Sequence, residues 1–111
     1  MARFNSTVQR ASITATASGD TAVVAAVTSK RICVIRLMLT SDADVSVRFR
    51  SGTTPVTGPI PVGARSGWRD GMARSADDPD DSLFETAVGE ALNVNLSGAA
   101  NVGGYLAYYT R

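Results

Sequence analysis

The sequence predicts an all-β fold, one antiparallel β-sandwich or barrel of about eight short strands. Three observations lead there. No segment sustains the periodicity of an amphipathic helix. Residues 45–50 and 91–97 alternate between apolar and polar side chains, the period of a half-buried strand. Gly, Pro and Asp punctuate the chain at intervals of roughly 8–12 residues. With 111 residues, 44% hydrophobic and 19% charged, the chain has the size and composition of one globular domain. Residues 1–111 are therefore assigned to a single unit, with 1–6 as an extended arm.

Taken in order, residues 6–17 (STVQRASITATA) are rich in Ser, Thr and β-branched residues and read as a strand. Ser18-Gly19-Asp20 signals a turn, and 21–28 (TAVVAAVT) reads as a second strand. Residues 31–40 (RICVIRLMLT) form the clearest core strand. Strict alternation puts Cys33, Ile35, Leu37 and Leu39 on one face and Ile32, Val34, Arg36 and Met38 on the other. Both faces are mostly apolar, so a central strand covered on both sides is expected. After the turn 41–44, residues 45–50 point Val45, Val47 and Phe49 inward and Ser46, Arg48 and Arg50 outward, and the two strands read as a hairpin that brings Arg36 near Arg48 and Arg50. Pro55, Pro59 and Pro61 demote 52–63 to an edge or an extended crossover. Residues 69–81 read as a polar surface loop. Short strand signals follow at 83–86, at 91–97 with Leu92, Val94 and Leu96 inward, and at 102–110. Ile35, Leu37, Val47, Phe49, Val94 and Leu96 are the expected core.

The residue inventory limits the chemistry. There is no His and one Cys, so imidazole bases, Cys-His pairs and thiolate zinc sites are not on offer. Gly103-Gly104 neither opens a helix nor precedes a Lys, so it is not a phosphate loop. No enzyme activity and no cofactor are expected. Asp77-Asp78-Pro79-Asp80-Asp81 is the one cluster that invites calcium, but it lacks the spacing and the turn glycine of an EF-hand. It reads as a solvated acidic loop or as a plug for a basic patch on a neighbour, and no metal is assigned. Cys33, inside an apolar run, reads as a small buried hydrophobe.

Net charge is +1, yet residues 1–74 carry ten basic and four acidic residues while 75–111 carry one basic and six acidic. Ten of the eleven basic residues are Arg, whose planar fork pairs persistently with carboxylates. This split suits self-association or docking on another protein. Aromatic residues are not interleaved with the basic ones, so nucleic acid is not an expected partner. No apolar run is long enough for a spanning helix, and the N-terminal MARFNSTVQR has no apolar leader core, so neither membrane nor secretory targeting is expected.

The stretch Thr57-Gly58-Pro59-Ile60-Pro61-Val62, then Leu83-Phe84-Glu85-Thr86, then 89–96 (GEALNVNL) and the terminal 102–109 (VGGYLAYY) resembles small virion proteins of tailed phages, in particular capsid decoration, or cement, proteins. The likeness runs over roughly residues 30–110. It implies a compact, jelly-roll-like β-sandwich that assembles as a trimer on the head surface, with the major capsid protein as partner and no catalytic residues or small-molecule substrate. The loop 69–81 departs from that pattern.

Three functions are consistent with these residues: a homo-oligomeric decoration module, a glycan-binding module using Trp68 and the tyrosines as stacking platforms, or a head-tail or tail β-module. The first is preferred, because strand 31–40 and the closing strand look covered on both sides. Tyr105 and Tyr109 share one face of the latter, Leu106 and Tyr108 the other. The candidate oligomer or capsid interface is then Ile32, Val34, Arg36 and Met38, with Arg48, Arg50, Trp68, Glu85, Glu90, Tyr105 and Tyr109. Glu85 and Glu90 are the carboxylates expected to meet Arg36 across the interface.

Overall fold

A computed structural model describes the backbone of residues 8–71 and 82–111, and the side chains of all of these except 68–71. The expected arm and the acidic cluster Asp77–Asp81 lie outside the described residues. The described chain is all β, with ten strands: β1 (Gln9–Ala15), β2 (Gly19–Val24), β3 (Ile32–Ser41), β4 (Val45–Ser51), β5 (Thr54–Pro55), β6 (Ile60–Val62), β7 (Ser66–Gly71), β8 (Phe84–Glu85), β9 (Leu92–Leu96) and β10 (Val102–Thr110).

They form two antiparallel sheets. The first has the order β1-β10-β3-β7, with β8 also on β3. The second has the order β2-β9-β4-β5, with β6 also on β4. Because β7 and β8 share one position and β5 and β6 another, ten strands fill eight places. The pairs β1·β10, β2·β9, β3·β8 and β4·β6 nest inside one another. That is one long hairpin wrapped over two layers, the jelly-roll connectivity of a β-sandwich.

This order corrects the expected hairpin. β3 and β4 do not pair with each other, because the chain passes from one sheet to the other between them. The crossing is held by a side-chain clip. Asp42 accepts from the Asn101 backbone N–H at 2.8 Å and from its Nδ2 at 2.7 Å, tying it to the second crossing, between β9 and β10. These donations hold the Asp42 carboxyl below the usual carboxylate range. Arg36 therefore lies on the outer face of the first sheet and Arg48 and Arg50 on that of the second, on opposite sides of the molecule. The expected basic stripe does not form.

A second correction concerns the faces of β3. Its pairing with β10 runs in step from Ser41 to Arg36, then skips Ile35, so that Ala107 meets Arg36 and Tyr108 meets Val34. A bulge of this kind adds one residue to one strand and reverses the inward and outward sense beyond it. Ile32 and Val34 thereby join Leu37 and Leu39 in the core between the sheets, while Cys33 and Ile35 turn outward to pack with Ala107 and Tyr109 in a second buried cluster. Alternation could not reveal the switch, since Cys33, Val34 and Ile35 are all apolar.

The core is otherwise the expected one. Val47, Phe49, Leu92, Val94 and Leu96 of the second sheet meet Ile13, Leu37, Leu39, Val102 and Leu106 of the first, all buried. The rings of Phe49 and Phe84 bridge the layers at 5.2 Å between centroids. The remaining differences are at boundaries, apart from β7, a six-residue strand where none was expected. Gly19-Asp20 opens β2 instead of forming a turn, and the polar segment from Arg69 begins inside β7. Residues 52–63 supply the short edge strands β5 and β6, as their prolines require.

Candidate interaction surface

The outer face of the first sheet is built by β1, β10 and β3. From β10 it receives Tyr105, Ala107 and Tyr109, from β3 Cys33, Ile35, Arg36, Met38 and Thr40, and from β1 Arg10, Ser12 and Thr14. A solvated face would be polar throughout. Here the buried cluster Cys33-Ile35-Ala107-Tyr109 continues into Met38, half-buried, and Tyr105, 37% exposed. The guanidinium of Arg10 lies over the Tyr105 ring, 5.6 Å from its centroid, a cation–π contact. Arg36 stands exposed beside this strip, with no hydrogen bond or ion pair among the described residues.

One end of the strip carries an ion cluster. Arg31 Nη1 donates to Glu85 Oε2 at 2.6 Å and Arg111 Nη2 donates to Glu85 Oε1 at 3.0 Å. Adjacent main chains lock it, since the Arg31 and Arg111 backbones exchange N–H···O bonds of 2.9 and 3.1 Å. Partial burial pushes the Glu85 carboxyl up, but the two guanidiniums outweigh it and hold the group below the ordinary range. The Glu85 carboxylate in turn raises Arg111. Beside it, burial pushes the Cys33 thiol up, so Cys33 is a packed hydrophobe, as its sequence context predicts.

The outer face of the second sheet is polar. Arg50 pairs with Asp20 at 3.0 Å and also donates to the Thr53 carbonyl, Asn95 donates to Asp20 at 2.8 Å, and Asn93 donates to the Gly52 carbonyl at 2.8 Å. Arg48, half-buried beside Asn95, has no carboxylate partner among the described residues, and its Nε is buried without a hydrogen bond to any of them. An open groove of about 440 Å³ lies at the β4–β6 end, but its one carboxylate, Asp44, already accepts from the Ala64 N–H.

The structure thus separates the expected interface residues. Arg36, Met38 and Tyr105 share the outer face of the first sheet. Tyr109 belongs to the same face but is fully buried within the chain. Ile32 and Val34 are core residues, because the bulge turned them inward. Arg48 and Arg50 lie on the opposite side. Trp68 sits opposite Leu39 in β7, and its side chain is outside those described. Glu85 is engaged by Arg31 and Arg111, and Glu90 accepts from Ser51 Oγ at 2.6 Å, so both carboxylates expected across an interface are satisfied at home. The sequence reading did not single out Arg31 and Arg111 as partners of Glu85. Their separation along the chain left no local signal. Among the described residues no group of three or more His, Cys, Asp or Glu could hold a metal. No family model, curated protein or solved structure matches the chain.

Proposed function

We propose that this chain is a non-enzymatic structural module that self-associates, as a trimer, and serves as a decoration or cement protein on the capsid surface of a phage head, with the major capsid protein as its partner. The observation that carries the reading is the outer face of the first sheet. The central strands β3 and β10 already bury their inner faces in the core, yet outside they present Met38 and Tyr105 in continuity with a buried apolar cluster. Apolar area on a second face gains stability only when something covers it, at about 25 cal/mol per Å² removed from water. Arg36 beside the strip, exposed and without an ion-pair partner among the described residues, adds a cation for a carboxylate on the covering partner. A two-layer β-body also suits an oligomer that gains avidity by touching several capsid subunits at once.

Sedimentation equilibrium at micromolar concentration tests the association. A trimer mass is expected, and a single species at the monomer mass refutes it. Arg36→Ala should weaken the assembly more than Arg65→Ala, since the latter changes an exposed turn residue at positive φ. Retention of the purified protein on undecorated capsids tests the site of action, and sugar binding without capsid retention would replace this reading by a glycan-binding one.

A further inference from the structure

The four sheet edges of this sandwich are not equally protected. Natural edges are blunted by shortness, proline, charge or bulges, because an unpaired row of N–H and C=O groups templates another strand. On the second sheet, β5 and β6 are two and three residues long and contain Pro55 and Pro61, and β2 carries Asp20 and a register shift between Ala22 and Val24. On the first sheet, β8 has two residues and β7 contains Gly67, Arg69, Asp70 and Gly71.

β1 has only one of these devices, a single charge. Its seven residues pair with β10 in unbroken register, Gln9 with Tyr108 through Ala15 with Val102, and it contains no Pro, Gly, Lys or acidic residue. Its one charge, Arg10, is laid over the Tyr105 ring on its own sheet. The other side of β1 pairs with no described strand, so alternate residues point both backbone groups away from the sheet.

We infer that β1 is a strand-addition site and that its occupant is β1 of a second copy, antiparallel across a two-fold axis through Ser12. The sequence QRASITA is self-complementary in that register. Gln9 faces Ala15, Arg10 faces Thr14, Ala11 faces Ile13 and Ser12 faces Ser12. All seven residues are used and no like charges stand opposite each other, whereas a register centred on Arg10 sets two guanidiniums together. The outward set Arg10, Ser12, Thr14 stays on one face, so the two first sheets become one continuous sheet. This two-fold contact is made by the backbone edge of β1, not by the Met38–Tyr105 strip used by the oligomer proposed above, so where both form the sedimenting mass is a multiple of that trimer.

Cysteine cross-linking tests both the site and the register. Opposed residues in antiparallel strands have Cα atoms about 4.5–5.5 Å apart, within disulfide range. Ser12→Cys is therefore expected to give a reductant-sensitive dimer on mild oxidation. Thr14→Cys would have its copies offset by four residues, roughly 13 Å at 3.3 Å per residue, and is expected not to cross-link. Cys33 is fully buried and provides the background with the unmodified chain. Ser12→Lys opposes two ammonium groups across the axis and should weaken dimerisation about fivefold, with the far-UV circular dichroism spectrum unchanged because Ser12 is exposed. A folded Ser12→Cys variant that stays monomeric on oxidation overturns the inference, as do equal cross-linking yields at positions 12 and 14. Arg36→Ala should leave the Ser12→Cys cross-link intact, so failure of the sheet-face assembly and failure of the edge contact are separately visible.

Discussion

At Gly104 the backbone of β10 lies close against that of β3. Its φ is +154°, and a Cβ built on it would fall on the Met38 carbonyl oxygen and lie 2.8 Å from Leu39 Cα. Both obstacles are main chain in the central strand of the sheet, so neither can swing aside. Gly104→Ala therefore combines a backbone angle that an L-residue resists, about 1–3 kcal/mol, with overpacking that must push β3 away, another 1–3 kcal/mol or so. A loss of about 2–6 kcal/mol is expected, which at roughly 4 °C per kcal/mol for a domain of this size lowers Tm by about 8–24 °C. The neighbouring Gly103 is the internal control, for a Cβ there meets only the Ile13 carbonyl oxygen at 3.8 Å, an ordinary contact. Gly103→Ala should be neutral or stabilising by up to about 1 kcal/mol, because it reduces the freedom of the unfolded chain. Thermal and urea denaturation followed by circular dichroism, at one protein concentration so that association is held constant, measures both. If Gly104→Ala lies within about 1 kcal/mol of the unmodified protein, or if the two alanines cost the same, the close approach of β10 to β3 is not as described.

Two further outcomes are expected. Leu37→Ala removes a buried side chain between the sheets and should cost about 2–5 kcal/mol in urea denaturation, while Met38→Ala, half-buried on the outer face, should cost clearly less; a reversal would place the bulge elsewhere. The Glu85 carboxyl is held below its ordinary range by Arg31 and Arg111, so its contribution is complete above the unfolded carboxylate pKa of about 4.3 and is lost as pH falls through the lower folded value. With both arginines partly exposed, Glu85→Gln should cost about 0.5–1 kcal/mol at pH 7, the gap to the unmodified protein should close in strong acid, and a gap independent of pH would remove the ion cluster from the account.

Much of this architecture was legible in the residues. A strand with one apolar face announces which side is inward, so β4 and β9 lie with Val47, Phe49, Val94 and Leu96 in the core as alternation predicts. Prolines cannot donate to a ladder, and they mark β5 and β6 as edges. β3 resisted the same reasoning because both its faces are apolar. A run such as ICVIRLML carries no parity signal, and the skip at Ile35 is decided by how β10 lies against β3.

The sequence by itself determined the class of the fold, the places of most strands, though not of β7, and the inward residues of the one-faced strands, because these depend on local period and on backbone chemistry within a few residues. Tertiary structure alone decided that β3 and β4 part into different sheets, that Arg36 and Arg48 end on opposite sides, and that Glu85 is met by Arg31 and Arg111, residues 54 and 26 positions away. Those outcomes follow from closing two layers over one core. Burying both sheets' inner faces at once selects a single pairing of distant strands, and each outward side chain takes its neighbours from that pairing.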